Sequence, residues 1–189
     1  MIAIFIVIAV GVGLPLIYLL AQYNALVSLK NYVRESWSDV DVELKRRYDL
    51  IPNLIATVKG YTTHEREVLE RVTQLRNQCA ANNGPVADQS RDEAQLVDAL
   101  KQLLVVVENY PQLKADQNFL QLQKELVNTE DRIQAARRFY NGNVRDYRNK
   151  CETFPSNLVA NMFGFKSEGD FFSVPPSVKE VPNVDFATS

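Results

Sequence analysis

The chain has 189 residues, a formal net charge of −2, 46% hydrophobic residues and two cysteines. This length suits one domain with an appendage. The near-neutral charge balance argues against a nucleic-acid-binding protein, which needs a basic face. Neither Cys79 nor Cys151 has a Cys or His nearby that would form a metal or redox motif, so both are predicted to be buried thiols.

The first element predicted along the chain is a membrane-spanning helix. Ile2–Ala21 contains no charged residue, and as a helix it covers ~30 Å, the thickness of the hydrocarbon core of a bilayer. A cleaved signal peptide would carry Lys or Arg before a shorter apolar run. A lipid anchor would need an early Cys, or a Gly directly after the first Met. The sequence has none of these features, so we expect a span that is retained.

Three residues within the predicted span bear on its packing. Ala9 and Gly13 form a small-xxx-small pair, which permits close contact with a second helix. Pro15 cannot donate to the carbonyl of Gly11, so a kink is expected there. The Ala9–Gly13 pair is thus compatible with self-association of the span, and Pro15 predicts a kink within it.

The basic residues near the span predict its orientation. They all follow the apolar stretch, and basic flanks favour the cytoplasm. We therefore expect a short N-terminus outside and the folded body in the cytoplasm. The residues concerned are Lys30, Arg34, Lys45, Arg46 and Arg47.

A hinge between two long helices is predicted within Asp41–Tyr61. Arg46 and Arg47 suit the closing terminus of the first helix. Asp49 can cap the helix that follows, and Pro52 is tolerated in a first helical turn. Apolar residues continue at helical spacing beyond this point, with one gap of two turns at Glu65.

Three further helices follow from the start and stop signals. The second runs from about Leu50 to Ala81 and ends at an Asn-Asn-Gly-Pro turn. The third begins at Ser90, which forms a capping box with Glu93. The fourth runs from about Gln117 to Thr153. The predicted fold is all-α: a transmembrane helix (1–22) that continues into an antiparallel up-and-down four-helix bundle (23–157), followed by a largely extended tail (158–189).

Few polar residues lie on the apolar faces that the predicted helices turn toward the core. Helical rise counted from the hinge places Arg34, Glu65 and Glu130 at a similar level, which predicts a structural cluster of paired charges within or beside the core. His64 is the only histidine, so a His-based metal site or triad has no second member. We expect His64 at the surface, and no catalytic residue, metal or cofactor.

Motifs along most of the chain resemble the LemA family of bacterial membrane proteins. They include Trp37-Ser-Asp-Val-Asp-Val42, Asp49-Leu-Ile-Pro-Asn-Leu54, Thr129-Glu-x-Arg-Ile133, Ala136-Arg-Arg-x-Tyr-Asn141, Phe154-Pro-Ser-Asn157 and Val181-Pro-x-Val-x-Phe186. The resemblance implies one N-terminal span, in the inner membrane of a bacterium, and an antiparallel helical bundle. It implies no catalytic residue.

Two functions are open at this stage. One is a non-enzymatic, membrane-anchored scaffold that self-associates and has other envelope proteins as further partners. The alternative is a membrane-tethered sensor or small-ligand-binding module that uses the Glu65 region. The aromatic tail from Phe163 is expected to dock on the bundle, lie at the lipid headgroups or reach a neighbouring subunit.

Overall fold

The computed structural model of the protein describes residues 1–62, 65–167 and 169–172, and of residues 3–10 it describes the backbone alone. Over these residues the chain is all-helical, as predicted. Its helices are α1 (Ile2–Lys59), α2 (Arg66–Ala81), α3 (Val86–Val107), α4 (Pro111–Lys114), α5 (Gln117–Glu152) and α6 (Ser156–Met162). The antiparallel up-and-down order of a four-helix bundle stays a prediction.

The chain divides into two compact units. The span-bearing unit consists of Met1–Glu43 and Arg132–Gly169, and the central unit of Leu44–Asp131 with residues 170–172 of the described tail. The span-bearing unit therefore holds most of α1, the second half of α5 and α6. The central unit holds the end of α1, all of α2, α3 and α4, and the start of α5.

The central unit is organised around one hydrophobic core to which each of its helices contributes. Within α1 the core residues recur at steps of three and four, which places them on one face of the helix. The buried core residues are Ile51, Leu54, Val58, Leu69, Val72, Leu75, Cys79, Leu96, Ala99, Leu103, Val107, Leu113 and Phe119. Burying this much apolar surface is the main favourable term in the stability of the unit.

The predicted end of the first helix between Arg47 and Asp49 is wrong, because α1 continues through Pro52 to Lys59. A proline inside a helix leaves the carbonyl four residues earlier without its N–H donor. That carbonyl belongs to Tyr48, and the guanidinium of Arg76 on α2 donates to it from Nε at 3.0 Å. The tertiary contact replaces the lost helical hydrogen bond, so the helix continues where the local sequence predicts its end.

The actual helix break follows Lys59. The backbone N–H of Gly60 donates to Thr57 O at 3.2 Å and that of Thr62 donates to Val58 O at 3.1 Å, which closes the last turn of α1. α2 then begins at Arg66. The local signal of this break is the gap of two turns at Glu65 in the series of apolar residues. A segment without an apolar face to bury gains little stability from being helical. His64 lies outside the described residues.

The start of the third helix also differs from the prediction. α3 begins at Val86, directly after Pro85, so Ser90 and Glu93 lie inside the helix and do not form a capping box. Both are buried, Glu93 with only 3% of its surface exposed. Glu93 therefore takes part in tertiary contacts. A side-chain cap is present instead at α5, where Asp116 Oδ1 accepts from the backbone N–H of Phe119 at 2.9 Å.

The span-bearing unit has a second core, formed where α6 packs against α1 and α5. Its buried members are Leu26, Tyr147, Cys151, Val159 and Ala160. α6 covers residues 158–162, which were predicted to begin an extended tail, and α1 passes the predicted domain boundary at residue 22 without interruption. The expected course of residues 173–189 lies outside the described residues.

Candidate functional site

A buried group of charges is the most distinctive polar feature of the central unit. Arg47 on α1 is 2% exposed. Its guanidinium donates to a carboxylate oxygen of Glu93 on α3 and, at 2.7 Å, to Glu130 Oε2 on α5. The hydroxyl of Tyr48 donates to the second carboxylate oxygen of Glu93. One cation therefore joins three helices of this unit, and we call these four residues the Arg47 centre.

The Arg47 centre forms because charged residues occupy positions on the buried stripes of their helices. Arg47 lies three residues after Leu44 and four before Ile51, and both of those residues are buried. Glu93 lies three residues before the buried Leu96. Helical spacing of three and four places each charge on the core face. Desolvating them is costly, and close pairing with hydrogen bonds offsets that cost.

The Arg47 centre is suited to stabilising the packing of its three helices. Both oxygens of the Glu93 carboxylate accept a hydrogen bond, and the side chain is 3% exposed. A carboxylate held this way is poorly placed to bind a ligand or to exchange a proton with a substrate. A buried ion pair can instead select one helix register over others, because every shifted register leaves a charge unpaired.

Of the predicted cluster of Arg34, Glu65 and Glu130, both glutamates have other partners in the structure, and Arg34 is an exposed residue of α1. Glu130 binds Arg47. Glu65 is the residue that precedes α2, and its carboxylate accepts from the Tyr110 hydroxyl at 3.2 Å. The predicted common level of the three residues depends on a helix start near Leu50, and α2 starts instead at Arg66. The count therefore placed Glu65 wrongly along its helix.

Of the three residues singled out in the predicted span, Gly13 and Pro15 are described with their surroundings. α1 runs through all three positions. A Cβ atom added to Gly13 would have no heavy atom within 4 Å. The neighbouring apolar side chains are exposed, including Val12 at 64% and Ile17 at 65%. Ala9 is described by its backbone alone, and the kink predicted at Pro15 stays a prediction.

The two cysteines are buried free thiols, as predicted. Burial raises the pKa of the Cys79 thiol to about 11, and burial also raises the pKa of Cys151. Such thiols are poor nucleophiles and poor metal ligands near neutral pH, since the reactive species is the thiolate. Among the residues that the structure describes, no group of three or more His, Cys, Asp or Glu residues could hold a metal ion.

α1 is the one described helix long and apolar enough to cross a membrane. The sequence profile of the LemA family matches residues 36–186. The chain belongs to the LemA family. This confirms the resemblance that the motifs indicated, and it agrees with an all-helical protein that begins with a long apolar helix.

Similar proteins are known from several bacteria. This LemA family member is 26% identical to Protein LemA of Metamycoplasma hominis over 94% of the present chain and 79% of that protein. It is 23% identical to Magnetosome protein MamQ 2 of Paramagnetospirillum magneticum, over 84% of the chain and 67% of the relative. It is 24% identical to Magnetosome protein MamQ of Magnetospirillum gryphiswaldense, over 83% of the chain and 67% of that relative. Together with α1, these likenesses describe a LemA-like, membrane-associated protein.

Sequence reasoning missed the Arg47 centre of this LemA family member, although a signal was present. The buried stripe of α1 reads Val40, Leu44, Arg47, Ile51, Leu54 and Val58, in alternating steps of four and three. Extending the apolar stripe through its one charged position identifies Arg47. Its partner Glu93 is identified in the same way, but only the structure shows that the two meet.

Proposed function

We propose that this protein is a non-enzymatic scaffold, anchored in the bacterial inner membrane by α1, that self-associates and holds its folded body at a fixed distance from the bilayer. The observation that supports this most directly is the continuity of α1. The apolar segment and the first part of the folded body belong to one uninterrupted helix, Ile2–Lys59. A continuous helix fixes the distance between the apolar segment and the folded body, because no flexible linker between them lets the body move independently.

The surface of the apolar segment supports self-association. Most of its described side chains are exposed, although Leu19 packs on the second core. Most of this stretch of α1 is therefore left to pack against lipid or another span. Gly13 adds a position where a second backbone can approach closely, because no side chain and no neighbouring atom occupies that space. The proposed partners are therefore the bilayer, a second copy of this chain and other envelope proteins.

The orientation follows from charge. The uncharged stretch ends at Lys30, and basic residues on the body side of a span favour the cytoplasm. We place the N-terminus outside and the folded body in the cytoplasm. Protease added to sealed spheroplasts should then leave the body intact, whereas the same protease added to inverted vesicles should digest it.

Self-association is tested by measuring the mass of the full-length protein in mild detergent by light scattering. We expect a discrete homo-oligomer. Gly13→Leu should weaken the oligomer at least tenfold, because the new side chain separates the two helices. Gly11→Leu is the matched control, since position 11 lies about 160° around the helix from position 13. A wild-type monomer, or equal effects of the two substitutions, would contradict the proposal.

The alternative, a sensor that uses the Glu65 region, finds less support in the geometry. The carboxylate of Glu65 is engaged by the hydroxyl of Tyr110, which serves to hold the start of α2. The same mass measurement separates the two functions, because a sensor would be a monomer that retains a small molecule through purification. Glu65→Gln should then remove that molecule, whereas under the scaffold proposal it changes stability alone.

A further inference from the structure

The span-bearing unit contains a cleft of about 470 Å³ that the scaffold function does not use. One wall is the stretch of α1 from Lys30 to Trp37. The opposite wall is formed by Tyr140 and Tyr147 of α5 and by the segment after α6, which contributes Lys166. We call this space the basic cleft.

Three cations and no acidic residue line the basic cleft. Lys30 and Arg34 are one turn apart on α1, so their side chains lie on the same face, and Lys166 approaches from the segment after α6. All three side chains are exposed. In the part of the chain that the structure describes, neither Lys30 nor Arg34 forms an ion pair. Like charges gathered around one cleft attract an anion, and a phosphate can bind both Arg and Lys.

The floor of the basic cleft is aromatic. Trp37 packs edge-to-face on Tyr140, with ring centroids 5.2 Å apart, and Tyr140 and Tyr147 are each 3% exposed. Such an aromatic floor would contribute little to the binding of a free phosphate ion. A ligand with both an anionic group and an apolar part would contact the cations with the one and the rings with the other.

The position of the basic cleft along α1 indicates where such a ligand is found. The uncharged stretch Ile2–Leu29 covers about 42 Å as a helix. A bilayer with its headgroups is ~40–45 Å thick, so a spanning α1 brings Lys30 and Arg34 to the outer edge of the headgroup layer. Tyr18 and Tyr23 precede them, and tyrosines are enriched at the membrane interface.

The segment after α6 has the surface expected of a chain that lies at this interface. The rings of Phe163 and Phe165 pack on Tyr23, with centroids 4.9 and 5.6 Å away. These contacts hold the segment beside the uncharged part of α1. Met162, at 68% exposure, and Phe163 present further apolar surface next to it. Exposed apolar groups beside a predicted span favour lipid over a soluble anion as the ligand.

We propose that the basic cleft binds the phosphate of an anionic phospholipid in the leaflet from which α1 emerges. Lys30, Arg34 and Lys166 bind the phosphodiester. Tyr147, which shares a core with Leu26 on the membrane side of Lys30, contacts the glycerol and the first part of the acyl chains, whereas Trp37 and Tyr140 lie beside the headgroup. The site requires α1 to cross the bilayer, but it does not require self-association. A failure of this proposal therefore leaves the scaffold function intact.

Trp37 provides a direct readout, because it is the only tryptophan in the chain. The full-length protein in non-ionic detergent is titrated with dioctanoyl phosphatidylglycerol while the Trp37 emission is followed. We expect a saturable change, with binding at least tenfold weaker for dioctanoyl phosphatidylcholine and for inorganic phosphate. No saturable change, or equal binding of the zwitterionic lipid, refutes an anionic lipid site. Equal binding of inorganic phosphate shows a plain anion site and likewise overturns the proposal.

Matched substitutions show whether the cations of the cleft are responsible. A basic residue near an anionic surface strengthens binding by about fivefold, so Arg34→Gln should weaken binding by about that factor. The triple change of Lys30, Arg34 and Lys166 to Gln should weaken it roughly a hundredfold. Arg145→Gln is the control, since Arg145 lies about 140° around α5 from Tyr140 and pairs with Asp146.

The control substitution should alter lipid binding less than twofold. Circular dichroism of every variant checks that the helical fold is retained, which is expected because the substituted side chains are exposed. Equal effects of Arg34→Gln and Arg145→Gln would mean that lipid responds to total charge alone, and the assignment to the basic cleft would be wrong.

Discussion

Replacing Glu93 by Gln tests the Arg47 centre. The substitution keeps the size of the side chain and removes its charge, which leaves the buried Arg47 with Glu130 as its remaining charged partner. Breaking a buried ion pair costs about 3–5 kcal/mol, and because Gln can still accept a hydrogen bond we expect the lower end of that range, about 3 kcal/mol. For a chain of this length, that loss lowers the melting temperature by roughly 6–12 °C.

The measurement is thermal unfolding of the full-length protein in detergent, followed by circular dichroism. The control is Glu70→Gln, which removes a carboxylate from the ion pair of Arg66 and Glu70 in the same unit, where the side chains are 88% and 64% exposed. An exposed pair contributes at most about 1 kcal/mol. If Glu93→Gln were no more destabilising than Glu70→Gln, the Arg47 centre would not be holding the central unit together.

A double substitution separates pairing from burial. Arg47→Met alone leaves the Glu93 carboxylate without its cation. Adding Glu93→Leu removes that charge as well and fills the space with apolar atoms. Because replacing a whole buried pair by apolar residues is often neutral or stabilising, the double variant should be more stable than either single one. Equal or greater destabilisation in the double variant would mean that shape, and not charge pairing, determines the cost.

Three further predictions concern other parts of the chain. Arg76→Ala should cost about 2 kcal/mol by chemical denaturation, since it removes the side-chain donor to the Tyr48 carbonyl. In the background of Pro52→Ala, which restores a backbone donor, the same change should cost less than half as much. Hydrogen bonds from the Phe119 N–H and the Tyr61 hydroxyl hold the pKa of Asp116 below its ordinary value, so Asp116→Ala should destabilise the protein at neutral pH. The difference in the free energy of unfolding between this variant and the wild type should shrink as the pH falls through the pKa of Asp116 in the folded state. A Cβ at Gly142 would meet no heavy atom within 4 Å, so Gly142→Ala inside α5 should stabilise the protein by about 1 kcal/mol, and a lower melting temperature would contradict this reasoning.

The fold class could be predicted because its signals are local. Apolar residues spaced three and four apart indicate a helix within a short stretch of sequence. The length of an uncharged stretch can be compared directly with the thickness of a bilayer. The start of α5 and the end of α2 follow from such signals. The break between α1 and α2 could also be read locally, from the gap in the apolar seam, but the proline at position 52 was the more obvious signal and it was misleading.

The candidate site could be predicted less well, because it depends on partners that are far apart in the chain. Arg46 and Arg47 look alike as neighbouring cations, and only the helix face separates the buried one from its neighbour. Counting rise along a helix gives the right level only if the start of that helix is right. An error in one boundary therefore placed Glu65 wrongly, and it hid the pairing of Arg47 with Glu93.

By itself, the sequence determined that this is an all-helical member of the LemA family with one long apolar helix at its N-terminus. Only the tertiary structure decided that α1 continues past Pro52, that Arg47 joins three helices of the central unit, and that three cations surround an aromatic cleft in the span-bearing unit. The physical reason is the range of the forces concerned. Backbone hydrogen bonds and apolar periodicity act within a turn or two of a helix, whereas the carbonyl freed by a proline or a charge in a core is satisfied by whichever side chain the folded chain brings to it.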